Sequence, residues 1–426
     1  MMNIQNLDDK HIWHPYTQYA TSPKPLLVEK AKDAIIYTAD GKEIIDAVAS
    51  WWVNIHGHSN ERLAAAIKKQ FLKLEHVIFA GFTHEAATTL AESLLPLLPG
   101  QPDRLFFSDN GSTAVEVGVK MALQYFYNKG ETERNQIICF EEGFHGETFG
   151  GMSLSGDLEF NKPYASKLFD VQRIPAPIGD NESIALEKFE EILKSGRVAA
   201  FLFEPLILGT AGMLMYSAEV LSKMIKMARS YGALSVADEV MTGFGRTGTL
   251  FACDQSAEKP DIIAMSKGLT GGSMPMGLTS CPEFIFEAFI SEDKMKTFFH
   301  GHSYTGNPLA CAVAIESLKM LTEDATRSSM DRIISMHQSF ASKHRANKKF
   351  KEIRQCGTIL ALEYQTGEKT SYFNSRRDEL YDFFIQRGVL LRPLGNVIYI
   401  LPPYCISDDE LTQVYAAIEE SLEINW

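Results

Sequence analysis

Residues 234–248 read L-S-V-A-D-E-V-M-T-G-F-G-R-T-G, and residues 261–272, beyond an acidic interval, read D-I-I-A-M-S-K-G-L-T-G-G. The first run is apolar and β-prone and ends in two carboxylates, Asp238 and Glu239. The second, Ile262 to Met265, ends at Ser266-Lys267 and opens into glycines. In parallel sheets, chemistry collects in loops at the carboxyl edge of buried strands. A lysine and an aspartate at such an edge suit an amine nucleophile facing a cofactor gripped by a carboxylate. Pyridoxal phosphate needs both: the lysine forms its resting Schiff base, and the acid partners the protonated pyridine nitrogen. Each residue alone also has a plainer role, the aspartate as a turn or cap and the lysine before glycine as a helix end. The assignment therefore depends on the rest of the chain.

Outward from this stretch, short apolar runs alternate with helical patterns from about residue 85. Strands are predicted over Arg104–Ser108, Ile137–Glu141, Ala199–Glu204, Ser235–Asp238 and Ile262–Met265, with a helix over Ala218–Tyr231 between two of them. This alternation predicts βαβ units and an α/β fold with a mostly parallel central sheet. Before it, Asp40-Gly41 reads as the turn of a hairpin over residues 35–48. After a helix over Pro308–Thr322 the texture changes to α+β, with strands over Ile359–Glu363 and Val397–Leu401 and helices near 377–387 and 408–422. The expected organisation is an N-terminal arm with part of a small domain (1–49), a large cofactor-binding domain (50–315) and a C-terminal small domain (316–426).

The 426 residues are 45% hydrophobic and 22% charged, as in ordinary globular chains. With 41 basic and 54 acidic side chains the net charge is −13, which argues against a nucleic-acid surface. The six cysteines (139, 253, 281, 311, 356 and 405) have no C-x-x-C spacing and read as reduced thiols. The N-terminal stretch lacks the apolar core of a secretory signal, and no run is long and apolar enough to span a bilayer. A cytoplasmic protein without membrane partners is expected.

Further segments suit a phosphate-bearing cofactor. Ser108-Asp109-Asn110-Gly111-Ser112-Thr113 joins a strand to an apolar-periodic helix, so its backbone N–H groups would form an anion site. Thr113-x-x-Glu116 has the pattern of a capping box. In Gly143-Phe144-His145-Gly146-Glu147 the aromatic ring, flanked by glycines, suits stacking on a heteroaromatic ring, or simply plugs the core. His145 reads as a general acid or base, or as a loop histidine bonded to backbone. His300-Gly301-His302-Ser303-Tyr304-Thr305-Gly306-Asn307-Pro308 is a second glycine- and hydroxyl-rich helix entrance; its histidines lack a ligand-spaced companion, so no metal site is expected. Gly243-Phe244-Gly245-Arg246-Thr247-Gly248 matches G-x-G-x-x-G literally, but no long amphipathic helix or later strand-end acid follows it, and dinucleotide binding is rejected. Trp51-Trp52, read as part of a strand, would face opposite sides, one lining a pocket or interface. Arg392, after an apolar strand, has the fork that suits a carboxylate substrate.

Taken together, A-D-E-V-M-T-G-F-G-R-T-G, S-K-G-L-T-G-G and H-G-H-S-Y-T-G-N-P-L-A-C-A resemble the class III (fold type I) pyridoxal-phosphate aminotransferases over essentially the whole chain. H-I-W-H-P-Y-T, A-S-W-W and R-P-L-G-N-V-I-Y-I-L-P-P-Y narrow the resemblance to the biotin-pathway branch, which aminates 8-amino-7-oxononanoate. The resemblance implies that Lys267 carries pyridoxal 5'-phosphate and that Asp238 partners its ring nitrogen. It implies that Gly111 and Ser112 hold the phosphate from one subunit, with His302 and Ser303 reaching it from the other, and that Phe144 stacks on the ring. Trp51, Gly301 and Arg392 would contact the acceptor, Arg392 by its carboxylate, and Tyr16 would shape the amino-donor pocket. A homodimer with shared active sites follows. The branch commonly has tyrosine at Phe144 and threonine at Ser303; Ser303 keeps the hydroxyl, whereas Phe144 lacks a phenol near the donor. S-adenosyl-L-methionine is the expected donor, with lysine as the alternative. Rival readings are an aminotransferase for ornithine, 4-aminobutyrate or a diamine, and a catalytically silent scaffold.

Overall fold

The computed structural model describes residues 4–156 and 159–424. Its centre is a seven-stranded sheet built from β1 (Arg104–Ser108), β2 (Gln136–Phe140), β3 (Gln172–Ile174), β4 (Val198–Phe203), β5 (Leu234–Asp238), β6 (Ile262–Met265) and β7 (Gly277–Cys281). The spatial order is β1-β7-β6-β5-β4-β2-β3. Strands β3, β2, β4, β5 and β6 pair in parallel, while β7 runs antiparallel to both β6 and β1. The mostly parallel sheet expected from the sequence is thus present. Two of its strands, β3 and β7, carry too little apolar periodicity to have been anticipated.

Both faces are covered, which is why these strands read as continuous apolar runs. Along β6, Ile262 and Ala264 enter one core while Ile263 and Met265 enter the other; β2 splits in the same way between Ile137/Cys139 and Ile138/Phe140. The first core is closed by helix α1 (Gly111–Asn128), which buries Ala114, Val115, Val117, Val119, Ala122 and Phe126. Gly118 sets the approach of α1 to the sheet: a Cβ there would lie 3.1 Å from Ile262 Cγ2 and from Val236 Cγ1. The second core takes Val220, Leu221, Met224, Ile225 and Ala228 of α2 (Ala218–Ser230), a helical stripe opened by the Ser217 cap. Fully burying a side chain of the Leu or Phe type contributes roughly 1.5–3 kcal/mol, against about 0–1 kcal/mol for an exposed ion pair. The two-sided core, and not the many surface ion pairs, therefore holds the site in place.

Two smaller sheets come from the chain ends. The expected hairpin pairs Ile35–Thr38 with Glu43–Asp46, its turn relieved by Gly41 at φ +84°. Val389–Leu390 adds to that hairpin in parallel register, Val389 opposite Ile45. A second sheet orders Phe350–Cys356, Ile359–Tyr364 and Val397–Ile400. Helices over Arg376–Gln386 and Asp408–Ser421 fall where the periodicity predicts them. Among the described residues no helix is long and apolar enough to cross a membrane.

One local expectation fails. Ala49–Trp52 is a tight, kinked helical turn and not a strand. Ala49, Ser50 and Trp52 all have positive φ (49°, 60° and 68°), conformations that cost L-residues of order 1–3 kcal/mol each. The turn is held by the buried carboxylate of Asp46, which accepts the backbone N–H of Ser50 at 2.7 Å and the ring Nε2 of His58 at 2.8 Å.

Candidate active site

Strands β5 and β6 run side by side, with Asp238 in register with Ala264, so their carboxyl ends deliver Asp238 and Lys267 to one edge. Successive residues at the end of β5 point to opposite sides, and the two carboxylates part accordingly. Glu239 turns away and accepts the Thr242 hydroxyl at 2.6 Å and the backbone N–H of Ala252 and Cys253. Asp238 faces the site, where its Oδ2 lies 2.8 Å from Nδ1 of His145 and its Oδ1 accepts the Val240 N–H at 3.1 Å. An ionised carboxylate only accepts, so Nδ1 carries the proton. The other ring nitrogen of His145, Nε2, is buried without a hydrogen-bond partner. The sequence left His145 between an acid–base role and a backbone bond; its ring is bonded to the aspartate.

A third carboxylate, which sequence reasoning did not single out, completes this edge. Glu204, directly after β4, accepts the Phe144 N–H at 2.9 Å and the Gly209 N–H at 3.0 Å. Its burial pushes the carboxyl up to about 7, with neighbouring Asp238 adding to the rise and His145 opposing it. The signal was available in A-F-L-F-E-P, an acid closing an apolar strand.

Lys267 is part-buried at the start of a short 3-10 turn and has a positive φ of 47°. Loss of water around its amine lowers its proton affinity to about 8; Asp238 and Glu204 pull it upward and Arg246 downward. An amine so tuned alternates readily between base and acid near neutral pH. Its Nζ stands 4.4 Å from the ring centroid of Trp52, whose Nε1–H donates to the Tyr399 hydroxyl at 2.9 Å.

The start of α1 has the anion-site geometry. Asn110 is the cap, its side chain accepting the Thr113 N–H at 3.0 Å while the Asn110 N–H donates to Thr113 Oγ1. The predicted box between Thr113 and Glu116 does not form, because Asn110 caps three residues earlier and Thr113 takes the inner position of its box. Glu116 instead accepts the Thr148 hydroxyl at 2.5 Å and the Gly151 N–H. The loop after β2 closes tightly over this end: a Cβ on Gly146 would lie 1.9 Å from Ser112 Oγ, and that oxygen accepts the Glu147 N–H. The backbone at Gly111 is just as confined, since a Cβ there would lie 2.7 Å from Val240 Cγ1.

Two predicted acceptor residues, Trp51 and Arg392, meet the predicted donor-pocket residue Tyr16 on the outer side of the Ala49–Trp52 turn. The Arg392 guanidinium lies over Trp51 at 4.0 Å from the ring centroid, and Tyr16 meets the same indole edge-on at 5.5 Å. Among the described residues Arg392 makes no salt bridge. Trp51 is 38% exposed and Trp52 only 5%.

Three predicted residues lie apart within the single chain. His302 bonds locally, its N–H to Thr305 Oγ1 and its Nδ1 accepting the Tyr304 N–H, and the Ser303 carbonyl accepts from His76. Gly301 is exposed beside them. Around this loop Ile78, Phe82, Phe299 and Tyr304 are each at least 60% exposed. Among the described residues no group of three or more His, Cys, Asp or Glu is placed to hold a metal ion. The G-x-G-x-x-G segment is a turn followed only by the short 3-10 helix Ala252–Gln255, and its Arg246 is buried, donating to the Pro402 carbonyl at 2.7 Å and lying over the Tyr404 ring.

Comparison with known proteins identifies the family and the fold. The family described as "Aminotransferase class-III" matches residues 16–422. The chain is 43% identical to a Synechococcus elongatus protein named adenosylmethionine-8-amino-7-oxononanoate aminotransferase, covering 97% of this chain and 98% of that one. It is 36% identical to a Geobacter sulfurreducens protein of the same name, covering 98% and 97%. A crystal structure of the protein of that name from Methanocaldococcus jannaschii superposes with a TM-score of 0.93 at 30% identity, covering 99% and 98%. An omega transaminase from Pseudomonas jessenii in complex with PMP superposes with a TM-score of 0.92 at 26% identity, covering 99% and 97%.

Proposed function

This chain belongs to the class III aminotransferase family, and on that premise we propose that it converts 8-amino-7-oxononanoate to 7,8-diaminononanoate in biotin biosynthesis, using pyridoxal 5'-phosphate. The observation that carries the substrate is the Trp51–Arg392 pair: a guanidinium with no salt bridge among the described residues, held against an indole, offers a planar fork for a carboxylate beside an apolar surface for a chain.

When bound, the cofactor supplies an electron sink for the charge left on a carbon that loses its proton. The chain's residues do the rest. Backbone N–H groups of Gly111 and Ser112 hold the phosphate at the helix start. Asp238 keeps a proton on the ring nitrogen through a charge-assisted bond, and His145 fixes the carboxylate that does so. Phe144 covers the ring, its backbone tied to Glu204. Lys267 takes the proton from the donor's α-carbon as base and returns it as acid, and the cycle repeats in reverse with the acceptor, a ping-pong scheme. Arg392 orients the acceptor carboxylate, Trp51 and Gly301 shape the space around it, and Tyr16 shapes the pocket of the amino donor.

The reading includes a two-fold homodimer in which His302 and Ser303 complete the partner's phosphate site. The exposed apolar ring of Ile78, Phe82, Phe299 and Tyr304 around that loop supports it. It also includes a cofactor domain over 50–315 and a small domain from 1–49 and 316–426, supported by the chain-end sheet in which Val389 pairs with Ile45. A cytoplasmic location accords with six unbonded cysteines. The donor is S-adenosyl-L-methionine; Phe144, lacking a phenol, is the observation that favours L-lysine as a second reading.

The test is an acceptor and donor screen on the purified protein, with product identified by mass. Formation of 7,8-diaminononanoate at a rate well above amination of the keto partners of ornithine, 4-aminobutyrate or diamines is expected. Equal rates on all acceptors would refute the substrate assignment, and half-reactions with each donor separate the two donor readings.

A further inference from the structure

Backbone strain in a folded protein persists only where the surroundings over-determine it, and it clusters where function needs a side chain aimed. The Ala49–Trp52 turn carries three positive-φ residues in four, pinned by Asp46 and His58. What the turn achieves is the divergence of two indoles. Trp51 goes outward to Tyr16 and Arg392. Trp52 goes inward and offers its face to Lys267, Nζ lying 4.4 Å from the ring centroid. The indole is fixed from behind: Nε1–H donates to Tyr399 at 2.9 Å, and the two rings meet edge to face at 5.9 Å. It cannot leave Lys267 without breaking a buried hydrogen bond.

We propose that Trp52 is a positioning residue for the transfer: its ring face receives the Lys267 ammonium whenever that amine is free of the cofactor, keeping Nζ at the reacting carbon between the two half-reactions. The proposal rests on the reading of Lys267 as the amine that bonds the cofactor. The charged groups acting on that amine are Asp238 and Glu204, which favour its protonation, and Arg246, which opposes it. An indole adds a preference for the cation through its quadrupole. Unlike a further carboxylate, it does so without binding the proton so tightly that the amine ceases to act as a base.

The experiment uses protein loaded with pyridoxamine 5'-phosphate, in which Lys267 is free. The rate of its acetylation by acetic anhydride is followed against pH by peptide mass spectrometry. In the wild type this rate should rise through an ionisation near 8. In Trp52→Leu the midpoint should fall by about one pH unit. Trp52→Phe, which keeps a weaker face, should move it by about half as much. Tyr399→Phe, which only unpins the indole, should shift it in the same direction. The pH profile of single-turnover amination should move with each midpoint, which a merely structural lesion would not cause. An unmoved midpoint in Trp52→Leu overturns the proposal; if that variant does not fold, unmoved midpoints in both Trp52→Phe and Tyr399→Phe do so. If pyridoxal phosphate fails to block acetylation of Lys267 in the wild type, the assignment of Lys267 itself falls, a distinguishable result.

Discussion

Nδ1 of His145 stands 2.8 Å from Oδ2 of Asp238, both side chains buried, across 93 residues of sequence. The imidazole N–H fixes which carboxylate oxygen is committed and which way the other faces. His145→Ala removes one hydrogen bond to a charged group, worth about 1.5–3 kcal/mol, or roughly a 10–100-fold change. The expected result is a fall of that size in kcat with the weaker effect on acceptor KM, measured by steady-state kinetics. Asp238→Asn should be the more severe, because the ring-nitrogen proton loses its partner. Comparable rates for Asp238→Asn and the wild type would remove the aspartate from its role.

Lys267→Ala should abolish turnover, since positioned proton transfer alone accounts for about 10²–10⁴-fold in rate. The same variant should fail to trap pyridoxal phosphate covalently on borohydride treatment, read by intact mass. Substantial transamination by Lys267→Ala would exclude the lysine as the proton carrier.

Arg392→Ala should raise the KM for the carboxylated acceptor by about 10–100-fold, the loss of hydrogen bonds to a charged group, while the donor half-reaction stays near its original rate. Arg392→Lys should recover only part of this, because an ammonium cannot reproduce the planar fork. An unchanged acceptor KM in Arg392→Ala is the result that rejects the assignment.

Burial raises the carboxyls of Glu204 and Glu239 from 4.5 to about 7. A carboxyl that titrates higher in the folded than in the unfolded state binds more protons when folded. Folding stability therefore falls as pH rises from about 4.5 to about 7 and levels off above, by up to ~1.4 kcal/mol per pH unit for each group. Glu204→Gln cannot titrate and should lose its share of that slope. Thermal midpoints of wild type and Glu204→Gln should thus lie closest near pH 4.5, where both side chains are neutral, and separate towards pH 7 as the wild type loses ground to the variant. Parallel curves would show that Glu204 is not protonated in this range.

Much of the sheet was legible because buried parallel strands must be apolar on both faces, as in the runs ending at Phe203, Asp238 and Met265. Strand β7, G-L-T-S-C, escaped because small and polar residues sit in an antiparallel slot between β6 and β1. Asp238 and Lys267 were legible because strand ends are marked locally. The link from His145 to Asp238, and the tie from Glu204 to the Phe144 backbone, were not, because they form only once three strand ends have been brought to one edge. The A-S-W-W turn was misread as strand: β-prone tryptophans favour that reading, and the Asp46 and His58 bonds that override it are tertiary.

The parallel pairing of Val389–Leu390 with Glu43–Asp46 has a consequence for how the enzyme is born. Leu401 N–H donates to the Ala47 carbonyl and Tyr404 N–H to that of Ile55, so the segment carrying both tryptophans is stitched at both ends by residues that follow the distant Val397–Ile400 strand. Such distant partners close late. A nascent or clipped molecule that stops short of Leu401 would therefore have the sheet edge that bears Lys267 but an untethered tryptophan turn, so translation must pass these residues before both sides of the candidate site are in place.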